Sequence, residues 1–207
     1  MLLSKTSTKE RILEAALDLF NRQGFAQVSM KDIAEAAGMS PGNLAYHFKS
    51  KESILQALYE QLEEERRQHL SAVLQLPTFE HAHEKTQAIL ELTYRFRFFY
   101  LNTLDVAHES EDVANALRAH IEAHIAYLKG MLDYAVGAGN LQARPEGYDS
   151  LAHTLWMVLF FFPMQQAIRR QADNWQEARL RMWHLLLPYA TEKGKSKIEK
   201  LIQTDTP

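Results

Sequence analysis

The residues best suited to contact a nucleic acid lie close together between Met39 and Lys51. Asn43 carries an amide that can pair with adenine through two hydrogen bonds in the major groove of DNA. Tyr46, His47 and Lys51 supply a phenol, an imidazole and an ammonium group, which suit phosphate oxygens. The chemistry predicted for this segment is therefore recognition of double-stranded DNA.

The same segment carries the signals of a short helix. Ser40 can accept a backbone N–H as the N-cap, and Pro41 suits the first helical position because its missing donor costs nothing there. Gly42 and Ala45 are small, so the backbone can approach a groove closely. Pro41 and Gly42 are further predicted to fit against a thymine methyl group, whereas Leu44 is assigned to the core.

Two predicted helices precede this segment and would position it. Ser7 and Glu10 have the spacing of a capping box for the first. Ser29 begins the second, and the N-terminus of that helix is a further predicted phosphate contact. Gly38 ends it. Two short helices joined by a glycine-containing turn are typical of a helix-turn-helix, and a helical hairpin without a DNA role is the alternative.

Many of these residues recur in a known pattern. They are Ile12 to Ala16, Leu19, Phe20, Gly24, Phe25, Ser29 to Ala34, Ala37, Gly38, Ser40 to Leu44, Tyr46 to Phe48, Lys49 to Glu52 and Leu55. Through them the segment from Arg11 to Leu58 resembles the DNA-binding domain of the TetR (tetracycline-repressor-like) family of bacterial regulators. The resemblance implies an all-helical homodimer whose third helix reads DNA and whose fourth leads into a ligand-binding body. Ala45 departs from the family pattern, which often has a larger side chain there.

Composition excludes several other classes of protein. The 207 residues carry a formal net charge of -3, so a DNA site must be local, and there is no cysteine for disulfides or thiolate metal sites. The most apolar run, Leu155 to Met164, is half of the roughly 20 residues that a membrane span needs. The N-terminus lacks the apolar core of a signal peptide. We therefore expect a cytoplasmic protein with no membrane partner.

The fold predicted is all-α. A three-helix helix-turn-helix domain is expected at residues 1–50, and a larger helical ligand-binding and dimerisation domain at residues 51–207. The tail from Lys193 to Pro207 is expected to be either a short helix or disordered, and the resemblance implies that the last two long helices form a four-helix dimer interface. The long helices predicted in the larger domain are 51–74, 80–107, 111–138, 149–170 and 175–191.

The larger domain has a stripe of mixed aromatic and polar residues that could line a ligand pocket. Residues packed in a dry core or a dimer contact are the alternative for each position. His120 and His124 could share a metal ion, but two imidazoles form no complete site, and Glu80 with His83 gives only one Glu-x-x-His motif. No metal and no cofactor are therefore predicted. The candidate pocket residues are Phe96, Tyr100, His120, His124, Tyr127, Trp156 and Phe160.

The predicted function is a sequence-specific transcriptional regulator, a repressor that a small lipophilic ligand releases from a near-palindromic DNA site. A DNA-binding regulator without a ligand is the first alternative. An all-helical enzyme is the second, and it is disfavoured because no nucleophile elbow, phosphate loop or complete metal set is present. The predicted DNA contacts are Ser29, Ser40, Pro41, Gly42, Asn43, Ala45, Tyr46, His47 and Lys51.

Overall fold

The computed structural model describes residues 7–70, 76–170 and 174–205. These residues form eleven α-helices and two 3-10 turns, which confirms the predicted all-α fold. The 3-10 turns are Phe25–Gln27 and Leu187–Tyr189. The helices are α1 (Thr8–Gln23), α2 (Met30–Ala36), α3 (Pro41–His47), α4 (Lys51–Leu70), α5 (Phe79–Arg95), α6 (Phe98–Leu101), α7 (Thr103–Glu109), α8 (Glu111–Gly137), α9 (Asp149–Ile168), α10 (Trp175–Leu186) and α11 (Glu192–Asp205).

The helices group into two compact units. The first comprises Met1–Glu65 and Phe96–Ala116, and the second comprises Arg66–Arg95 and Leu117–Pro207. Helices α4 and α8 each contribute residues to both units. A functional boundary between residues 50 and 51 stays a prediction.

The first unit is built around the apolar faces of α1, α2 and α3. The side chains of Ile12, Phe20, Ile33 and Leu44 are all essentially inaccessible to solvent. The predicted capping box is present at the start of α1, where the Ser7 N–H donates to the Glu10 carboxylate over 2.6 Å. Burial and capping together fix α2 and α3, which have seven residues each and would be too short to persist alone.

The single helix predicted over 80–107 was wrong, because the chain forms α5, α6 and α7 there. Two asparagine side chains of the first unit explain the breaks. The amide oxygen of Asn21 accepts a hydrogen bond from the Phe98 N–H, and that of Asn102 accepts one from the Phe25 N–H, both over 3.1 Å. Asn102 itself leaves helical geometry, with φ -116° and ψ 32°. The Asn21 amide thus takes up the Phe98 N–H that a continuous helix would bond internally, and the Asn102 amide ties the second break to the chain at Phe25.

In the second unit, the C-terminal tail is a helix and not a disordered segment. Helix α11 ends at Asp205, and residues 206 and 207 lie outside the described part of the chain. Ile198 on α11 is fully buried. The Asp205 carboxylate forms a buried ion pair with Arg179 of α10, whose Nε lies 2.8 Å from one carboxylate oxygen. The tail is therefore an integral part of this unit.

Two other predicted helix ends need comment. The helix from Lys51 was expected to reach residue 74, but residues 71–75 lie outside the described ones. The helix from Trp175 was expected to reach Thr191 and instead ends at Leu186, followed by the 3-10 turn that contains Pro188. Proline has no N–H to donate, so an α-helix cannot continue regularly through it.

Helix α11 crosses the turn after α8 so closely that only glycine fits at position 194. A Cβ atom on Gly194 would lie 1.9 Å from the Asn140 carbonyl oxygen. The Thr191 hydroxyl donates to the Gly139 carbonyl over 2.8 Å and helps to hold the crossing in place. The tail is thus fixed by backbone contact as well as by side chains.

We predict that Gly194→Ala lowers the free energy of unfolding by about 1–3 kcal/mol, because the backbone must move to admit the methyl group. Urea denaturation followed by circular dichroism measures the change. Gly130→Ala is the matched control, since a Cβ there meets no atom within 4 Å of it among the described residues. That variant should be neutral or more stable by up to about 1 kcal/mol. Equal stability of both variants would contradict the close crossing.

Candidate functional site

The turn between α2 and α3 is held by a residue of α1. The Arg11 guanidinium donates to the Ala37 carbonyl over 2.7 Å, at the C-terminal end of α2. Gly38 follows with φ 65°, a left-handed conformation that glycine adopts without strain. The sharp turn then directs Leu44 of α3 into the core of the unit, where it is 1% exposed. The turn before α3 and the burial of Leu44 together set the orientation of this helix.

The opposite side of α3 faces solvent and carries most of the predicted DNA contacts. The Ser40 hydroxyl caps the helix by accepting the Asn43 N–H over 3.2 Å, and Asn43 is itself exposed. Tyr46 is 83% exposed, so packing inside the domain is not its role. The neighbouring His47 is partly exposed, with its ring centroid 5.3 Å from that of Tyr46. The exposed members of the predicted set on α3 and its cap are Ser40, Pro41, Gly42, Asn43, Ala45 and Tyr46.

Gly42 leaves open space on this face. A Cβ atom placed there would meet no described atom within 4 Å. The fold itself therefore does not require glycine at this position. The missing side chain leaves room for the backbone of another molecule to approach α3 closely at this point.

Two predicted phosphate contacts are engaged within the protein. The Lys51 ammonium donates to the Phe25 carbonyl over 3.1 Å and lies 4.2 Å from the centroid of the Phe25 ring. The Ser29 N–H donates to the Asp32 carboxylate over 2.8 Å, and its hydroxyl donates to the same oxygen over 2.6 Å. These hydrogen bonds hold the pKa of Asp32 below its usual value. A phosphate at Ser29 would have to compete with a carboxylate that is already bound there.

The second unit contains a cavity of about 170 Å³ beside α8. Phe160 of α9 packs against the rings of its two histidines, with centroid distances of 6.0 Å to His120 and 5.0 Å to His124. Trp156 stacks on Phe160 at 5.5 Å. The cavity is lined by Lys85, Ile89, His120, Ala123, His124 and Tyr127.

The structure brings together only part of the predicted pocket. His120, His124 and Tyr127 line the cavity, and Phe160 and Trp156 lie behind the two imidazoles. Phe96 and Tyr100 do not line it, because they belong to the first unit.

Burial keeps the two cavity histidines neutral. Burial lowers the pKa of His120 to about 3 and that of His124 to about 4, and the positive charge of Arg66 is the second cause of both shifts. Burial likewise raises the pKa of the Tyr127 phenol. Among the described residues there is no group of three or more His, Cys, Asp or Glu side chains that could hold a metal ion. The cavity therefore presents uncharged hydrogen-bonding groups, two imidazoles and a phenol, near a cationic side chain.

Sequence reasoning missed two cationic residues of this region. Arg66 lies in the charged run Glu63 to Arg67, yet it is only 6% exposed. It follows Leu62 by four residues on the apolar face of α4, and that spacing was the available signal. Lys85 had no comparable signal, since a lysine on a helix is ordinarily solvated.

Helix α9 presents an apolar face to solvent in the described structure. Met157 is 47% exposed and Phe161 is 49% exposed, one helical turn apart. A groove of about 480 Å³ runs beside them and includes Arg181 of α10 in its lining. By length and composition α9 is also the one described helix that could cross a membrane, with a mean hydropathy of 1.2. The core helix of a soluble protein can have the same length and hydropathy, so one such helix is weak evidence for a membrane span.

Two family models match consecutive parts of the chain. The profile described as "Bacterial regulatory proteins, tetR family" matches residues 12–58, and the one described as "Bacterial transcriptional repressor" matches residues 58–198. Over 51 residues the chain is 47% identical to the HTH-type transcriptional regulator UidR of Escherichia coli (strain K12). That match covers 25% of this chain and 26% of UidR, so the chain spans about a quarter of the length of the curated relatives it matches.

Solved structures resemble nearly the whole chain. A TetR-family transcriptional regulator from Marinobacter aquaeolei VT8 gives a TM-score of 0.86 at 22% identity, covering 97% of this chain and 100% of that one. CprB of Streptomyces coelicolor, in complex with its biological operator sequence, gives 0.72 at 20% identity, covering 95% of each chain. At these identities the likeness shows the fold. Together with a family profile across more than half of its length, it leads to one conclusion: the chain belongs to the tetR family of bacterial regulatory proteins.

Proposed function

We propose that the protein is a dimeric, sequence-specific DNA-binding transcriptional repressor of the cytoplasm, released from its operator by a small lipophilic ligand. The observation that carries the proposal is the outward face of α3. A buried Leu44 fixes the helix, and an open Gly42, an exposed Asn43 and an almost fully exposed Tyr46 lie on its free side. Membership of a family of bacterial regulators supports the same function.

On DNA, the exposed residues of α3 divide by chemistry. Asn43 is the candidate for reading adenine, and Tyr46 and His47 are the candidates for phosphate contacts. The Lys51 ammonium donates one N–H to the Phe25 carbonyl within the domain. Its other N–H groups remain candidates for a phosphate contact. Two copies of α3 would enter successive major grooves about 34–36 Å apart on a near-palindromic site.

The second copy of the chain is proposed to pack on the exposed face of α9. Met157 and Phe161 form an apolar patch that a single chain leaves in water, beside a groove that α10 also lines. Related copies brought together by a two-fold axis bury the same patch on both subunits. This arrangement also accounts for a helix that is apolar on nearly all sides.

Release by a ligand requires a ligand with different affinities for two states of the dimer. The cavity beside α8 is the proposed binding site, since it is the mostly apolar cavity that contains predicted pocket residues. A compound that binds there equally well in both states would have no effect on DNA binding.

Selection of bound DNA from a random pool tests the proposed function directly. Enrichment of a near-palindrome with half-sites one helical turn apart is the expected result. Enrichment of a single unrepeated half-site would overturn the dimeric arrangement, and the absence of any enriched sequence would overturn specific DNA binding.

We predict that Gly42→Ala separates stability from DNA binding. The free protein should keep or gain stability, by up to about 1 kcal/mol, because alanine favours the helix and meets no neighbour. Operator affinity should fall at least tenfold if the backbone of α3 approaches DNA at this point. Thermal unfolding and a fluorescence anisotropy titration measure the two effects. Gly130→Ala, a similarly open helical glycine of the second unit, should leave operator affinity unchanged.

We predict that Asn43→Ala relaxes base preference at one position of each half-site. A bidentate contact contributes about 1–3 kcal/mol of discrimination, so the preferred base there should lose that advantage. Competition binding with operators altered one position at a time measures it. Equal loss of affinity for the operator and for random DNA would remove Asn43 from the reading residues.

We predict that Phe161→Glu shifts the protein to monomer, because a charge placed in the apolar patch opposes its burial. Size-exclusion chromatography with light scattering measures the mass. Leu104→Glu is the control, since Leu104 is also an exposed apolar side chain, at 76%, on a helix of the first unit. A dimer that persists in Phe161→Glu while Leu104→Glu dissociates would place the interface elsewhere.

A further inference from the structure

The size of the cavity beside α8 limits what it can hold. Its volume is about 170 Å³, and its walls include Ile89 and Ala123. A cavity of about 150 Å³ lined by apolar side chains holds one benzene molecule. The space therefore fits one aromatic ring with one small substituent.

Three buried polar atoms at this cavity have no hydrogen-bond partner within the described part of the chain. They are His120 Nε2, His124 Nδ1 and the Tyr127 hydroxyl. His124 is only 7% exposed, so bulk water does not satisfy its ring. Leaving a buried polar group unpaired costs roughly 1–3 kcal/mol, and native proteins do so rarely without a functional reason. The three atoms lie on one face of α8, at spacings of four and three residues.

Two cationic side chains lie near these atoms. The Lys85 ammonium lies 5.2 Å from the centroid of the Tyr127 ring. Arg66 is buried and acts on both imidazoles as a cation. Each neutral imidazole can present an N–H at its unpaired nitrogen by choice of tautomer, and the phenol can donate as well. Such a site favours an anionic acceptor and repels a cation.

We propose that this cavity binds a monocyclic aromatic carboxylate such as benzoate. The ring contacts Ile89 and Ala123, and the carboxylate accepts hydrogen bonds from the Tyr127 hydroxyl and the His124 imidazole, whose rings lie 6.3 Å apart. This assignment names the class of the ligand that releases the proposed repressor. Its consequence for DNA rests on that proposed function, but binding itself does not.

Calorimetry on the full-length protein without DNA tests the assignment, using benzoate, benzyl alcohol and benzylammonium as probes. The three have the same ring and nearly the same size but differ in charge. Benzoate should bind at least tenfold more tightly than benzyl alcohol, and benzylammonium should show no binding. Binding of benzyl alcohol or benzylammonium as tight as that of benzoate would overturn the proposal, as would no benzoate binding by a folded protein.

Two substitutions separate binding from folding. Tyr127→Phe and His124→Leu each remove an unpaired polar group and keep most of the volume, so neither should lower the melting temperature. Each should weaken benzoate binding about tenfold or more, because a hydrogen bond to a charged acceptor is lost. Tyr134→Phe, the same change on α8 outside the cavity lining, should leave the affinity unchanged. Unchanged benzoate affinity in both cavity variants would overturn the assignment.

A separate titration of operator DNA in the presence of benzoate distinguishes the two proposals. Benzoate that binds the free protein and leaves the DNA complex intact contradicts ligand release while the cavity assignment stands. Intact operator binding by a protein that binds no benzoate contradicts the cavity assignment and leaves the proposed DNA-binding function standing.

Discussion

Burial of Leu44 is the interaction on which the candidate DNA interface depends. Helix α3 has only seven residues, and helices of that length do not persist in water on their own. Every exposed group on its outer side has a defined direction only because this leucine and the neighbouring Phe48 lie in the core. The Ser40 cap fixes where the helix begins, and the Arg11 contact with Ala37 fixes the turn before it.

The positive charges of residues 1–58 are few, and two of them stabilise the fold. Residues 1–58 contain seven lysines and arginines and six acidic residues, so no broad attractive field surrounds the interface. Of those cations, Arg11 and Lys51 donate to backbone carbonyls of the unit itself. Under the proposed function, DNA affinity depends on a few placed neutral groups, for which the amide of Asn43 and the phenol of Tyr46 are the candidates, more than on long-range attraction.

Local signals made the first unit largely predictable from sequence. The capping residues Ser7, Ser29 and Ser40 each act within three positions of themselves, and the structure has them in the expected roles. Distant partners were not predictable. The amides of Asn21 and Asn102 break an otherwise helical stretch through hydrogen bonds across 77 positions, and no periodicity in the sequence carries that information.

A paired side-chain amide in the first unit and the unpaired ring nitrogens at the cavity of the second unit have different physical consequences. In the first unit, Asn102 gives its amide oxygen to a backbone N–H, and the hydrogen bond fixes the chain. In the second, His120 and His124 keep ring nitrogens unpaired at the edge of a cavity while burial holds both imidazoles neutral. A fully satisfied polar group adds rigidity, whereas an unpaired one lowers stability until something binds to it. Rigidity suits a helix that must fit a groove, and an unsatisfied cavity suits a body whose stability changes when a ligand arrives. The energy that the second unit forgoes in the free state becomes available on binding, which is the condition for a ligand to shift an equilibrium between two states.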